Sequence, residues 1–572
     1  MSKEYTALKL DDFKPELSTL TELSSVALGG RIVSVSDEFF AEAENLIKVE
    51  PAPSLKGQFG PKGALFSGWE SRRHNPAFDW CIIKLGARGF IEGFDVDTSW
   101  FNGNEAPEVS VEALSSTDTE PPQQDDTRWV TILPRLPLGP HSRHLLKIPA
   151  TEESFNYVKL NMYPDGGIAR FRVYGLVKTI FDSPTELMDL ASVFSGARVV
   201  FTSDQHFGVG SNLLLPGRGK DMGDGWETKR SRRPGHRDYV IVKLGHPGYL
   251  EHVEVDTAHF KGNFPESCEM HCLLSDKTVP GPDEPWTLVL PRTKLGPHRR
   301  HLLQLDNVRG QRYSHARLTI FPDGGVKRLR LFGRLDPAGP RPSEEAPLAL
   351  SQDDLSLPAA QAGEPPSVSE PAIPALWLTA EAFAPFGHVV QAWSDVHAVP
   401  KGIKTSHANQ GTAVKFHRLA PVQSSYPADS AASTALAVYR AGVTPGAAPG
   451  GEFFVRLLER HPCTNQAFIP MGTGGGIGED AIQGSPARAY LVVVALNGTD
   501  DKPDVGTMRA FVATTAQGIV YGTGIWHHPL IALESTIDFT CVETQIGNGN
   551  RLDCEIMDME PAKTVRVQVP KL

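Results

Sequence analysis

Apolar and polar positions alternate over short distances through most of the chain. Cys81–Gly86 "CIIKLG", Phe90–Thr98 "FIEGFDVDT", Trp129–Pro134 "WVTILP" and Ala169–Gly175 "ARFRVYG" are β-branched or alternating, and Gly, Pro, Asn and Asp punctuate them. A side-chain period of two with such punctuation predicts short antiparallel strands, arranged as a sandwich or jelly roll. The same pattern returns late in the chain at "YLVVVALNG" from Tyr490, "MRAFVA" from Met508 and "GIVYGTGIWHHPLIAL" from Gly518. A third, mostly β unit is therefore expected. Thr379 is placed to cap a short helix at "TAEAFAPFG".

The spelling also repeats. "NMYPDGGIARFRVYG" from Asn161 answers to "TIFPDGGVKRLRLFG" from Thr319, and the Pro-Asp-Gly-Gly core predicts a tight hairpin between paired strands. "GWESRRH" from Gly68 answers to "GWETKRS" from Gly225, and "LPRLPLGPHSRHLL" from Leu133 to "LPRTKLGPHRRHLL" from Leu290. Matches in the same order at nearly constant offset mean two homologous domains, each large enough to bury its own core. The expected division is 1–185, 186–335, a linker over 336–375 rich in Pro, Ala, Ser and Glu, and a last domain over 376–572.

Composition narrows the function. Lys+Arg 56 against Asp+Glu 67 gives a net charge of −11, with no long basic block, so nucleic acid is not an expected partner. No apolar run is long enough for a membrane span, and no membrane partner is expected. Six cysteines in 572 residues do not make a disulfide scaffold. Cys268 and Cys272 lack the second ligand pair of a zinc site. The glycine run "MGTGGGIGED" from Met471 has neither P-loop nor dinucleotide-binding spacing. The final Pro570, Lys571 and Leu572 resemble a peroxisomal import tripeptide, so the expected location is peroxisomal or cytoplasmic.

Both copies share Glu70 and Glu227, Arg73 and Arg230, Asp97 and Asp256, Asn104 and Asn263, and the "LGPH" loops leading to His144 and His301. Carboxylates accept from N–H groups, arginine holds a carboxylate in two-pronged fashion, and histidine moves protons near neutral pH. The same residues can equally tie down turns and bridge loops. With no serine-hydrolase, zinc-protease or nucleotide motif present, the pair could be an enzyme or tandem ligand-binding jelly rolls attached to a non-catalytic cupin sensor.

"SDEFF", "GWESRRHNPAFDW", "DVDTSWFNGN", "LGPH" and the two "PDGG" turns resemble allantoicase over about residues 20–335. That resemblance implies two jelly-roll (galactose-binding-like) domains, hydrolysis of allantoate to ureidoglycolate and urea, catalytic roles at Glu70, Arg73, Asp97, His144, Glu227, Arg230, Asp256 and His301, and substrate binding at Asn104 and Asn263. The stretch from Glu227 to Tyr239 is longer in the second copy, which sets the two copies apart.

"LERHP", "QAFIPM", "YLVVVA", "WHHPL" and the late "DCE" resemble ureidoglycolate lyase over about residues 376–560. A cupin-like, dimeric β-barrel that cleaves ureidoglycolate to glyoxylate and urea is implied. Such a collapse needs a base, an acid and a cation for the substrate carboxylate. His527 or His528 is expected as base or acid, Lys415 or Arg460 on the carboxylate, and Tyr521 or His461 as positioning groups. Adjacent histidines on a strand face opposite ways, so only one of His527 and His528 can look into a barrel. The His-x-His pattern of a metal cupin is missing, and no cofactor is expected, with a divalent metal left open in the first half. Together the readings give a mainly β, bifunctional enzyme of purine degradation, at least dimeric through its last domain.

Overall fold

The computed structural model describes residues 5–181, 183–336, 373–444, 446–472, 488–560 and 564–572. Most of the expected linker and the glycine run beyond Gly472 lie outside the described residues.

Each repeat is organised by one long strand, Asp79–Asp97 in the first and Asp238–Asp256 in the second. The first half of Asp79–Asp97 pairs with Phe155–Tyr163 and Arg31–Val35; its second half pairs with Arg143–Lys147 and Arg170–Val177. One strand thus serves two sheet layers and joins them across the core. Asp238–Asp256 does the same with Tyr313–Phe321, Arg198–Thr202, Arg300–Gln304 and Arg328–Arg334. Alternate residues Ile83, Leu85, Ile91 and Val96 enter the first core, and Val240, Val242, Leu250, Val253 and Val255 enter the second. This is the tandem jelly roll that the alternation and the resemblance imply.

The Pro-Asp-Gly-Gly segment is not a hairpin. Its flanking strands, Phe155–Tyr163 and Arg170–Val177, pair with different halves of Asp79–Asp97 rather than with each other, so the segment is a corner between layers. Asp165 at that corner accepts from Arg73 Nη1 at 3.0 Å and from Asn75 N at 3.0 Å. Asp323 repeats this with Arg230 at 3.1 Å and Ser231 N at 2.7 Å. Gly167 is required by close approach: a Cβ there would lie 2.0 Å from the Phe101 ring.

In the last domain a nine-stranded sheet curls until Glu452–Val455 and Leu457–Arg460, near its two ends, are consecutive in the chain. Its strand Ala489–Ala495 is buried throughout. Leu491 and Val493 point into one core, while Tyr490, Val492 and Val494 meet Phe468, Ile519, Tyr521 and Phe539 of a facing five-stranded sheet. This is the expected cupin-like architecture. Thr379 caps the helix Ala380–Phe383 by accepting from Ala382 N at 3.2 Å. That helix packs on the second repeat: Ala382 touches its core, and Glu381 pairs with Arg299 at 3.2 Å. Lys261 with Asp395, at 3.2 Å, and Arg509 with Asp306 complete the contact. Leu572 packs against the last domain's core. Among the described residues, no helix is long and apolar enough to cross a membrane.

Candidate active sites

In the jelly rolls the shared polar residues sort into two kinds. Arg73 and Arg230 are committed to the corner aspartates just described. His301 is fully buried and uses both ring nitrogens, Nδ1 against Val255 O at 2.9 Å and Nε2 accepting from Gly296 N at 2.7 Å. Its pKa is lowered by burial, so the neutral ring is the one that folds. His144 occupies the same place, with Nε2 3.2 Å from Gly139 N. These four residues hold loops.

The second kind faces the end of the sandwich. Glu70 is buried and accepts from Asn104 Nδ2 at 2.9 Å, and Glu227 accepts from Asn263 Nδ2 at 2.6 Å. Burial raises the Glu70 pKa against the opposing bond from Asn104. Asp97 and Asp256 terminate the long strands. Three residues further on, His141 Nδ1 accepts from Trp100 N, and His298 Nδ1 from His259 N, both at 2.8 Å.

In the last domain, strand alternation builds the site. On Leu457–Arg460 and the residue after it, Glu459 and His461 point one way and Arg460 the other. Arg460 is bound by Asp501, Glu555 and Asn497 and lies over the Trp526 ring, away from the barrel interior. Lys415 is exposed on the hairpin Thr405–Ala408 and Ala413–Phe416. Of the adjacent histidines, His527 enters the barrel and stacks on Tyr521 with centroids 3.9 Å apart. His528 leaves it and meets Phe453 edge-on at 5.1 Å.

A cavity of about 160 Å³ opens onto Glu459, Tyr521, His527, Tyr439 and Arg440. His461 Nδ1 lies 2.6 Å from Asp553 O and His527 Nδ1 2.9 Å from Ile525 O, so each ring gives its proton to a carbonyl and turns a bare Nε2 inward. Both Nε2 atoms, the Tyr521 hydroxyl and Gln466 Oε1 are buried without a hydrogen-bond partner among the described residues. Burial lowers the His527 pKa to about 3 and raises that of Tyr521 well above the phenol range, keeping both neutral. Ligand atoms of Glu459, His461 and His527 all lie within 4.8 Å of one another. Two imidazole nitrogens and a carboxylate, each imidazole oriented by a carbonyl, fit a divalent cation with room for further ligands.

The cluster has Glu-x-His spacing with a distant third group, not the His-x-His of a metal cupin. Period-two reading of "LERHP" would have put Glu459 and His461 on one face. Gln466, Tyr439 and Arg440 carried no comparable signal.

Comparison with known proteins matches both parts of the chain to families. The allantoicase repeat model matches residues 21–178 and 188–336, and the ureidoglycolate lyase model matches 370–566. A probable allantoicase of Schizosaccharomyces pombe is 49% identical over 317 residues, covering 55% of this chain and 92% of that protein. The allantoicase of Neurospora crassa is 46% identical over 339 residues, covering 58% of this chain and 96% of its own. The crystal structure of Saccharomyces cerevisiae allantoicase superposes with a TM-score of 0.52 at 44% identity, covering 58% of this chain and 100% of that one.

Proposed function

Because the chain belongs to the allantoicase family and carries a ureidoglycolate lyase domain behind its two repeats, we propose that it performs two consecutive steps of purine degradation. It hydrolyses allantoate to ureidoglycolate and urea, then splits ureidoglycolate to glyoxylate and a second urea. The product of the repeats is the substrate of the last domain.

The observation that carries the site assignment in the lyase is the convergence of buried, unpartnered His461 Nε2, His527 Nε2 and Tyr521 hydroxyl beside Glu459. Glu459, His461 and His527 would hold a divalent cation, which draws negative charge from the substrate oxygens when bound. Tyr521 accepts the substrate hydroxyl proton on its oxygen while its own proton passes to the departing urea nitrogen. The C–N bond breaks, the C=O bond forms, and the phenol stays neutral throughout, as its burial requires. Arg440, which also lines the cavity, is held by Asp538 through Nε and Nη2 at 2.9 and 3.0 Å.

A dimer through the lyase domain is supported by the edge strand Ser433–Ala441, on which Leu436 is 75% and Val438 64% exposed. The test of the whole reading is to feed allantoate to the purified chain and follow urea and glyoxylate, before and after chelation. Chelation should stop glyoxylate formation, and a divalent cation should restore it. Glyoxylate production unaffected by exhaustive chelation would remove the cation from the site.

A further inference from the structure

The duplication allows each mouth to be read against the other. In the first copy Asn45 Nδ2 donates to Gly68 O at 3.0 Å and Arg170 Nε to Glu50 O at 2.8 Å. In the second, Asn212 Nδ2 donates to Gly225 O at 3.0 Å and Arg328 Nε to Gly217 O at 3.1 Å. These contacts fix the register of two loops of different length. They place Pro51 where the second copy has Arg218.

That exchange changes the end of the long strand. Arg218 Nε and Nη2 donate to Asp256 Oδ2 and Oδ1 at 2.7 and 2.8 Å, and Ala258 N adds a bond to Oδ1 at 2.9 Å. Asp256 is 0% exposed. Asp97 keeps the equivalent backbone bond, from Ser99 N to Oδ1 at 2.8 Å, but has no guanidinium. Its Oδ2 accepts no hydrogen bond from the described residues, although Asp97 is only 7% exposed. The neighbouring Arg170 cannot substitute, because its N–H groups go to Glu50 O, Ser67 O, Ala169 O and the Ser67 hydroxyl. Lys327, whose backbone N donates to Asp256 O at 2.7 Å, buries its side chain against Asp224 where the first copy has Ala169. His141 and His298 hold equivalent places, each Nδ1 accepting from the backbone N three residues after Asp97 and Asp256 respectively, at 2.8 Å. Trp100, 42% exposed, packs on His141 at a tilt of 50° with centroids 5.0 Å apart.

A guanidinium presents parallel N–H donors from two nitrogens on one planar carbon, and a ureido group has the same N–H edge. A carboxylate receives either in a two-pronged pair. We infer that Asp97 of the first copy receives the N–H edge of a ureido group of allantoate, and that in the second copy Arg218 permanently fills the corresponding place. The first copy is then the one that turns over, and the second is a closed homologue of it. This inference rests on the allantoicase reading of the repeats.

The test uses the full chain. Asp97→Asn should lower kcat/KM for allantoate about 10- to 150-fold, the equivalent of losing a charged hydrogen bond, with little change in melting temperature. Guanidinium ion should inhibit the wild type competitively with allantoate and lose that effect in Asp97→Asn. Arg218→Ala should keep the wild-type kcat/KM. Should Asp97→Asn melt early, Pro51→Arg makes the test from the other side, by copying the second copy's plug into the first; it should abolish allantoate hydrolysis in a folded protein. A folded Asp97→Asn or Pro51→Arg variant with wild-type kcat/KM overturns the inference, as does loss of hydrolysis in a folded Arg218→Ala variant. A wild type that leaves allantoate untouched overturns the allantoicase reading itself, and is thereby distinguished from a failure of the inference alone.

Discussion

Tyr521→Phe should make the lyase domain more stable and nearly inactive. Tyr521 is 2% exposed and its hydroxyl has no hydrogen-bond partner among the described residues. The ring is held independently of that hydroxyl, by stacking on His527 at 3.9 Å, by an edge contact with Phe468 at 6.1 Å and by a tilted contact with Phe383 at 6.3 Å. Phenylalanine keeps all of these and removes a buried polar group whose desolvation costs about 1–3 kcal/mol. For a domain of about 200 residues, each kcal/mol moves the melting temperature by about 2–4 °C, so a rise of roughly 2–12 °C is expected. If the hydroxyl relays the proton, glyoxylate formation should fall by about 10²- to 10⁴-fold. Allantoate consumption should be unchanged, because the repeats are untouched. Calorimetry, with separate assays of urea from allantoate and glyoxylate from ureidoglycolate, reads all three quantities. A lower melting temperature would show that the hydroxyl is satisfied in the native state, and wild-type glyoxylate formation would refute the relay.

His527→Asn should abolish glyoxylate formation while His528→Asn retains it, since only the first ring enters the cavity; equal rates in the two variants would contradict the assignment. Arg73→Ala should destabilise the first repeat by about 1–3 kcal/mol, by depriving the buried Asp165 of its guanidinium, without changing KM for allantoate; a large KM increase at unchanged stability would restore a substrate-binding role. His301 folds as the neutral ring with its pKa below the ordinary 6.5, so the unfolded chain binds the extra proton. The stability it contributes is present above about 6.5 and lost as pH falls below it. Melting temperatures between pH 7.5 and 5 should fall less steeply in His301→Gln than in the wild type.

The duplication was legible because motifs spell themselves twice, and strand character because burial on one face imposes a period of two. Strand pairing around Pro-Asp-Gly-Gly was not, since turn chemistry says nothing about which neighbour a strand finds. Arg73 looked like a substrate-binding cation for a related reason: its partner Asp165 is 92 positions away, and residue type does not reveal distance in space. The opposite facing of His527 and His528 followed from strand geometry alone. The orphaned acceptors and donors around them did not, because Glu459, Gln466, Tyr521 and His527 come from separate strands whose register only the folded barrel fixes.

The corner tie between arginine and aspartate occurs twice at matching positions, which dates it. Arg73 with Asp165 and Arg230 with Asp323 are inherited from a single ancestral unit that already turned its chain from one layer to the other in this way. Pro51 and Arg218 differ, so their divergence came after the copying event. The ancestor had one kind of mouth, and a protein built from two such units had a spare. One copy could then accumulate charges that sealed its opening and gave its surface to the lyase domain, while the corner that both copies need to fold stayed fixed.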